Sequence, residues 1–166
     1  LEIPGAVFMD DPTVGGTVNY LKAIKNNWEK QGFEKAFLAD GVAWCKVLKY
    51  IDDALACGEK LTEWEIGETF ARFRSEDENY RGESFEPIVA FGPAGALPHY
   101  SATKESSQII GKNNFLLIDT GAHYIFGTTD TTRTIPVGEL TSAQRRHYTL
   151  VLKGMIRLSM ACFPKN

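Results

Sequence analysis

The chain has 166 residues, a formal net charge of −3 and 43% hydrophobic residues, values that are typical of a folded globular protein. This composition excludes an intrinsically disordered chain, because such chains combine low hydrophobicity with a high net charge. The 18 basic residues are outnumbered by 21 acidic ones, so the chain lacks the excess of cations that binds a phosphate backbone. We therefore expect no nucleic-acid partner.

The cysteines and the hydropathy pattern indicate a cytoplasmic protein. Cys45, Cys57 and Cys162 are odd in number and far apart, which argues against a disulfide framework and for a reducing compartment. The chain contains no apolar run near the roughly 18 to 20 residues that span a bilayer, so no membrane partner is expected. The first residues are acidic where a signal peptide would be basic.

Hydrophobic periodicity predicts three helices in the first half of the chain. The first covers residues 17–30, and Gly32 is predicted to separate it from a longer helix over residues 33–57. Thr62 and Glu65 have the spacing of a capping box and predict the start of the third helix. All three patterns are typical of helices that pack one apolar face on a core.

The second half contains short apolar runs between turn residues, a pattern typical of strands. Residues 76–81 are polar and predict a loop, and glycines flank a predicted hairpin at residues 123–126. Thr141 and Gln144 predict a closing helix that Pro164 ends. This order favours an α+β fold with an antiparallel sheet and flanking helices over alternating βαβ units. Strands are predicted over residues 85–92, 115–119 and 130–137.

Two aspartates at strand ends are the strongest candidates for chemistry. Asp119 and Asp130 are separated by an odd interval, which allows direct opposition across a hairpin with an even-length loop. Two carboxylates that close repel each other unless a cation lies between them. Oxygen ligands suit magnesium, manganese or zinc. The alternative is that both aspartates only cap turns beside Gly121 and Gly127.

His99 is the main candidate for proton transfer. It follows Pro98 in a glycine-rich loop, and histidine changes its charge near neutral pH. The alternative is an exposed loop histidine without a chemical role, and this is the preferred interpretation of His123 and His147. The sequence contains no nucleophile elbow, phosphate-binding loop or HExxH helix, so a metal site is the better hypothesis.

Several sequence blocks resemble one enzyme family, the Xaa-Pro aminopeptidases of the creatinase and methionine aminopeptidase superfamily. The blocks are GPAGALPHYSAT (residues 92–103) and LLIDTGAHYIFGTTDTTRT (residues 116–134). GELTSAQRRHYTLVLKG (residues 138–154) resembles the helix that follows this motif, and LKAIKN (residues 21–26) resembles the start of the family's catalytic domain. The resemblance implies a pita-bread fold, in which two similar α+β halves close around a site for two divalent metal ions.

The resemblance also implies roles for individual residues. By motif position, Asp119 and Asp130 correspond to metal ligands, of which Asp130 contacts both ions, and His99 corresponds to the catalytic histidine beside the substrate. Manganese is the expected metal, with zinc or cobalt as alternatives. The implied reaction is release of an N-terminal residue that precedes proline, through a metal-activated water. Substrate-binding residues are unknown, because no local signature marks them.

The family's remaining ligands, a histidine and two glutamates, belong to the second half of its catalytic domain. We therefore expect residues 1–166 to be the amino-terminal half of a metallopeptidase catalytic domain, truncated, with the second half and the preceding domains absent. Such a piece is expected to be inactive alone. The intact enzyme is expected to be a homo-oligomer that acts on proline-containing peptides.

Two alternative functions stay open. The first is another hydrolase of the superfamily, either a prolidase or a metal-free creatinase-type enzyme, although retention of Asp119 and Asp130 argues against the metal-free branch. The second is a catalytically silent pita-bread module that keeps the scaffold for binding or assembly. The ligands of the second half distinguish these alternatives from the aminopeptidase.

Overall fold

The computed structural model describes residues 16–163, in which four α-helices accompany two antiparallel sheets. This arrangement confirms the predicted α+β class. The helices are α1 (Gly16–Ala23), α2 (Asn27–Ala56), α3 (Glu63–Arg74) and α4 (Ser142–Ser159). The strands are β1 (Tyr80–Glu83), β2 (Ile88–Phe91), β3 (Asn114–Thr120), β4 (Ala122–Tyr124), β5 (Gly127–Thr128) and β6 (Thr131–Val137).

The first two helices are separated earlier than the sequence pattern predicts. α2 begins after Asn26, whose side chain accepts a hydrogen bond of 2.9 Å from the backbone N–H of Glu29. The Glu29 carboxylate accepts the Asn26 N–H in return at 2.8 Å, which completes a capping box. The predicted break at Gly32 is wrong, because Gly32 lies inside α2.

Gly32 is a contact point and not a helix terminator. A Cβ atom at this position would lie 2.0 Å from the carbonyl oxygen of Phe126, in the turn between β4 and β5. From the other side, a Cβ atom on Gly127 would lie 3.0 Å from the Gly32 carbonyl oxygen. Glycine therefore allows the backbone of α2 to touch the backbone of this turn.

The strands form two three-stranded antiparallel sheets. The main sheet has the order β2-β3-β6, and the small sheet has the order β1-β4-β5. β4 and β5 continue the β3–β6 hairpin into the small sheet. β1 forms partly where a loop was predicted for residues 76–81, because its pairing with β4 is a tertiary contact. Its own sequence is a weak strand signal, since Gly82 has φ +124° and the register shifts there.

The core lies between α2, α3 and the inner face of the main sheet. Successive residues of a strand point to opposite faces, and Leu116, Ile118 and Thr120 of β3 are fully buried on the inner face. Asp119 therefore belongs to the opposite face, which we call the outer face. The inner-face residues pack with the buried side chains of Trp44, Val47, Ile51, Ile66, Phe70, Val89 and Val137.

Capping boxes also start the last two helices, as predicted. The side chain of Thr62 accepts the Glu65 N–H before α3, and Thr141 accepts the Gln144 N–H before α4, both at 3.2 Å. α4 ends at Ser159, and Pro164, predicted to end it, lies outside the described residues. Among residues 16–163, no helix combines the length and apolar content that a membrane span needs.

We expect Gly32→Ala to lower the free energy of unfolding by about 1–3 kcal/mol, because the added methyl group meets a backbone carbonyl and forces α2 or the turn to move. Gly41→Ala in the same helix is the matched control, since a Cβ atom there meets nothing within 4 Å. Alanine's higher helix propensity should stabilise that variant by about 0.5–1 kcal/mol. Urea unfolding of both variants measures the difference, and equal midpoints would contradict the packing role of Gly32.

Candidate metal centre

Asp119 lies near the end of β3 on the outer face of the main sheet. It is directly opposite Thr132 of β6 and Ile88 of β2. The hydroxyl of Thr132 donates a hydrogen bond of 2.7 Å to Asp119 Oδ1. This bond orients the carboxylate, and Asp119 Oδ2 accepts no hydrogen bond from residues 16–163.

Asp130 directly precedes β6, where the chain returns from the small sheet. The direct opposition of the aspartates that their interval allows does not occur, because Asp119 pairs with Thr132, two residues beyond Asp130. In a regular antiparallel pair such diagonal neighbours are about 7–8 Å apart. A diagonal placement of this kind lowers the repulsion between two carboxylates compared with direct opposition. Asp130 is exposed and makes no hydrogen bond within the described part of the chain.

The register differs from the expectation because the turn is displaced by one residue. His123 pairs with Thr128 and Tyr124 with Gly127, so Ile125 and Phe126 form the turn. Direct opposition of the aspartates would need a turn centred one residue earlier. The observed turn places its glycine against α2 and buries Tyr124, whose ring stacks on Phe126 with centroids 5.9 Å apart. Packing of the hairpin on α2 therefore favours this register.

The two strands come into close contact just inside the aspartates. A Cβ atom on Gly121 would lie 2.0 Å from the carbonyl oxygen of Thr129, so a larger residue does not fit without a shift of the backbone. The hydroxyl of Ser84 donates to the same Thr129 carbonyl at 3.0 Å. Its backbone N–H donates to the Gly121 carbonyl at 2.9 Å. The chain between Asp119 and Asp130 consequently has a defined path.

His99 is exposed in the loop between β2 and β3, and its ring makes no hydrogen bond within residues 16–163. Glu63, fully buried on α3, anchors this loop. Glu63 Oε1 accepts the Phe91 N–H at 2.7 Å. Glu63 Oε2 accepts the Tyr100 hydroxyl at 2.7 Å and the Gln108 N–H at 2.9 Å. One carboxylate therefore holds the residue after His99 and both flanks of the loop.

The other two histidines differ in their surroundings. His123 is exposed on the small sheet, where its Nδ1 lies 2.9 Å from the Thr128 hydroxyl. His147 lies on α4 and lines an open groove of about 800 Å³ between α4 and the outer face. Thr132, the partner of Asp119, lines the same groove. The groove thus reaches the neighbourhood of Asp119, a relation that the sequence pattern does not indicate.

A buried arginine behind the site was missed by the sequence analysis. Arg74 is 1% exposed at the end of α3. Its Nε donates to Asp40 Oδ1 at 2.7 Å, and its Nη1 donates to the Thr120 hydroxyl at 2.8 Å and to the Gly121 carbonyl at 3.2 Å. Nη1 also forms an ion pair with Glu83 of β1. These contacts join two helices and two strands.

Asp40 extends these contacts to Thr129, the residue before Asp130. Its Oδ2 accepts the hydroxyl of Thr129 at 2.9 Å, and that hydroxyl also accepts the Ala122 N–H at 2.9 Å. A signal for this arrangement is present in the sequence, because Asp40 interrupts the apolar stripe of α2 between Ala36 and Trp44. A charged residue on an apolar stripe indicates a buried partner.

The donor atoms of Asp119 and Asp130 fit hard or borderline divalent cations, which prefer carboxylate oxygens. Both aspartates have oxygens without a hydrogen-bond partner among residues 16–163. In that part of the chain, no three His, Cys, Asp or Glu side chains form a cluster able to hold a metal ion. The described residues thus contribute a pair of candidate ligands.

Comparisons with known proteins identify the family. The profile of metallopeptidase family M24 matches residues 31–166. A probable Xaa-Pro aminopeptidase P of Tuber melanosporum is 42% identical over 145 residues, which are 87% of this chain and 23% of that protein. The Xaa-Pro aminopeptidase ApepP of Drosophila melanogaster is 40% identical over 144 residues, which are 87% of this chain and 24% of that protein. The chain thus spans about a quarter of the length of these relatives.

Solved structures give the same assignment. An X-prolyl aminopeptidase of Caenorhabditis elegans, described as a cytosolic enzyme with a di-nuclear active site, matches with a TM-score of 0.83 at 37% identity. The match covers 90% of this chain and 24% of that one. Prolidase from Pyrococcus furiosus matches with a TM-score of 0.70 at 29% identity, over 82% of this chain and 37% of that one. The predicted pita-bread fold is confirmed, and the chain belongs to metallopeptidase family M24.

Proposed function

We propose that residues 1–166 form the amino-terminal half of the catalytic domain of a metal-dependent Xaa-Pro aminopeptidase, which releases an N-terminal residue that precedes proline. The proposal rests chiefly on Asp119, near the end of β3, and Asp130, directly before β6. Both residues lie away from the buried inner face. Both have carboxylate oxygens without a protein partner in residues 16–163. The names of the relatives at about 40% identity support the same activity.

Asp119 and Asp130 are the proposed metal ligands, and Asp130 is proposed to contact both ions. Divalent ions held by these carboxylates would supply a water molecule of lowered pKa as the nucleophile for peptide hydrolysis. The role of this chain is to hold the carboxylates of Asp119 and Asp130 in a defined relative position. Thr132 orients Asp119, and the close contact at Gly121 directs the chain to Asp130. We propose manganese as the metal, with zinc or cobalt as alternatives.

His99 is the proposed catalytic residue on the substrate side. An imidazole there donates a hydrogen bond or a proton to the oxyanion that develops during the reaction. Its exposure allows contact with a substrate, and the anchoring of Tyr100 by Glu63 limits the movement of the neighbouring backbone. The imidazole thus approaches the substrate from a loop that a buried carboxylate holds.

Cellular location and partners are further parts of the proposal. A cytoplasmic enzyme agrees with the description of the C. elegans relative as cytosolic and with the free, exposed Cys45, Cys57 and Cys162. Proline-containing peptides are the proposed substrates, and a nucleic-acid partner is not expected. Assembly into a homo-oligomer stays a prediction, which light scattering on the intact protein would test.

A second candidate function is that of a prolidase, which acts on dipeptides. The fold match to Xaa-Pro dipeptidase from Bacillus anthracis, with a TM-score of 0.73 at 29% identity, favours this candidate. The identity to named aminopeptidases is higher, so we prefer the aminopeptidase. Rates on an Xaa-Pro dipeptide and on longer peptides with the same first two residues would separate the two functions.

In the intact protein, Asp130→Ala is expected to abolish both metal binding and peptide hydrolysis, because it removes a ligand shared by both ions. His99→Ala is expected to keep its metal and to lower kcat by about 10²- to 10³-fold, since its contact is made with the transition state. Elemental analysis and hydrolysis of an Xaa-Pro peptide measure the two effects. His123→Ala, at an exposed histidine bonded to Thr128, is the matched control and should change neither. Loss of metal from His99→Ala would make this residue a ligand.

The 166-residue chain by itself is expected to retain no stoichiometric metal after desalting and to hydrolyse no Xaa-Pro peptide. Two carboxylates leave a divalent ion largely hydrated, and hydrated ions exchange readily. Calorimetric titration with manganese and a peptidase assay test this expectation. Measurable hydrolysis by the chain alone would show that two ligands suffice and would refute the division of the site between two halves.

A further inference from the structure

We propose that the buried Arg74 network positions Asp119 and Asp130 relative to each other from behind the sheet. The Arg74 network comprises Arg74 and Asp40 together with Glu83, Thr120 and Thr129. Arg74 and Asp40 are positioning residues in this proposal, because they act on the aspartates through the two threonines. The inference rests on the metal roles proposed above for the two aspartates.

Each threonine of the Arg74 network is the chain neighbour of one aspartate. Thr120 follows Asp119, and Thr129 precedes Asp130. Because adjacent residues of a strand point to opposite faces, Thr120 projects towards Arg74 from the face opposite to Asp119. Thr129 is likewise fully buried while Asp130 is exposed. Any shift of either threonine passes through one peptide unit to the neighbouring aspartate.

An unbroken path of hydrogen bonds joins the two threonines. The hydroxyl of Thr120 accepts from Arg74 Nη1 at 2.8 Å, and Arg74 Nε donates to Asp40 Oδ1 at 2.7 Å. Asp40 Oδ2 then accepts the hydroxyl of Thr129 at 2.9 Å. The path runs from the end of β3 through α3 and α2 to the residue before Asp130. It therefore links the flanks of both aspartates through rigid helices.

The backbone ladder between the strands is sparse at this point, where the Thr129 N–H donates to the Ala122 carbonyl at 2.8 Å. Regular pairing of β3 with β6 ends at Thr120 and Thr131, and pairing of β4 with β5 begins at His123 and Thr128. Between them, the Gly121 carbonyl accepts from Arg74 and from the Ser84 N–H, not from the opposite strand. The spacing of the aspartates thus depends on the backbone bond between Thr129 and Ala122 together with the side-chain contacts of the Arg74 network.

The burial of the charges supports a geometric role. The side chains of Arg74 and Asp40 are 0% and 1% exposed, and such pairs often add little to stability compared with apolar residues of similar size. Buried ion pairs that are retained can instead specify one arrangement of the elements that carry them. Here the arrangement specified is that of α2, α3 and the two segments beside the aspartates.

The test uses Thr120→Val and Thr129→Val in the intact protein, since these changes preserve the side-chain shape and replace the hydroxyl with a methyl group, which cannot form the hydrogen bonds. Thr69→Val is the matched control, because Thr69 is also buried and its hydroxyl donates to the Glu65 carbonyl at 2.7 Å within α3. Calorimetric titration of the metal-free proteins with manganese gives the Kd, and thermal unfolding gives the Tm. We expect the Kd to rise about tenfold in the first two variants and to stay unchanged in the control.

Thr129→Ser restores a hydroxyl and is expected to restore the Kd of the unsubstituted protein. If Thr69→Val raises the Kd as much as the other two variants for the same loss in Tm, or if Thr129→Ser does not recover the Kd, the positioning role is overturned. Asp119→Ala and Asp130→Ala separate this result from failure of the proposed function. Unchanged manganese binding in those two variants would refute the metal site itself. If those two variants bind manganese more weakly while Thr120→Val and Thr129→Val keep the Kd of the unsubstituted protein, only the positioning role is refuted.

Discussion

The guanidinium group of Arg74 is the contact on which the rest of the structure depends. It lies at the end of α3, in the space where α2, the main sheet and the small sheet meet, and it has hydrogen-bond partners on each of them. A buried cation must be surrounded by acceptors, because an unpaired charge in a protein interior is very costly. The acceptors come from Asp40, Glu83 and Thr120, so the elements that carry them are held in one relative position.

Close backbone contacts at two glycines complete this arrangement. Gly32 lets α2 touch the turn between β4 and β5, and Gly121 lets the two segments beside the aspartates approach closely. At both places the neighbouring atom is a carbonyl oxygen, which has no rotamer through which it can move aside. Apolar burial provides much of the stability, since the hydrophobic core lies between the helices and the main sheet. The glycine contacts and the Arg74 network determine how closely the elements approach.

Local patterns predicted the elements well and the long-range geometry poorly. The capping boxes at Thr62 and Thr141 marked two helix starts correctly, because a cap is decided by residues within one turn. Gly32 was misread as a break, since a glycine that terminates a helix and one that permits close contact look alike in a sequence. The candidate aspartates were found by spacing and motif, but their register depends on how Tyr124 and the turn pack against α2. Arg74 escaped notice because its partners are distant in sequence.

The distance in sequence between the partners has a consequence for the order of folding. Asp40 and Thr129 are 89 positions apart, and Arg74 and Thr120 are 46 apart, so these bonds close large loops. Contacts of this kind form late, after local helices and hairpins. During synthesis, α2 and α3 leave the ribosome well before the segment that contains Thr129. The nascent chain therefore has no fixed spacing between Asp119 and Asp130, the proposed metal ligands, until β6 has emerged.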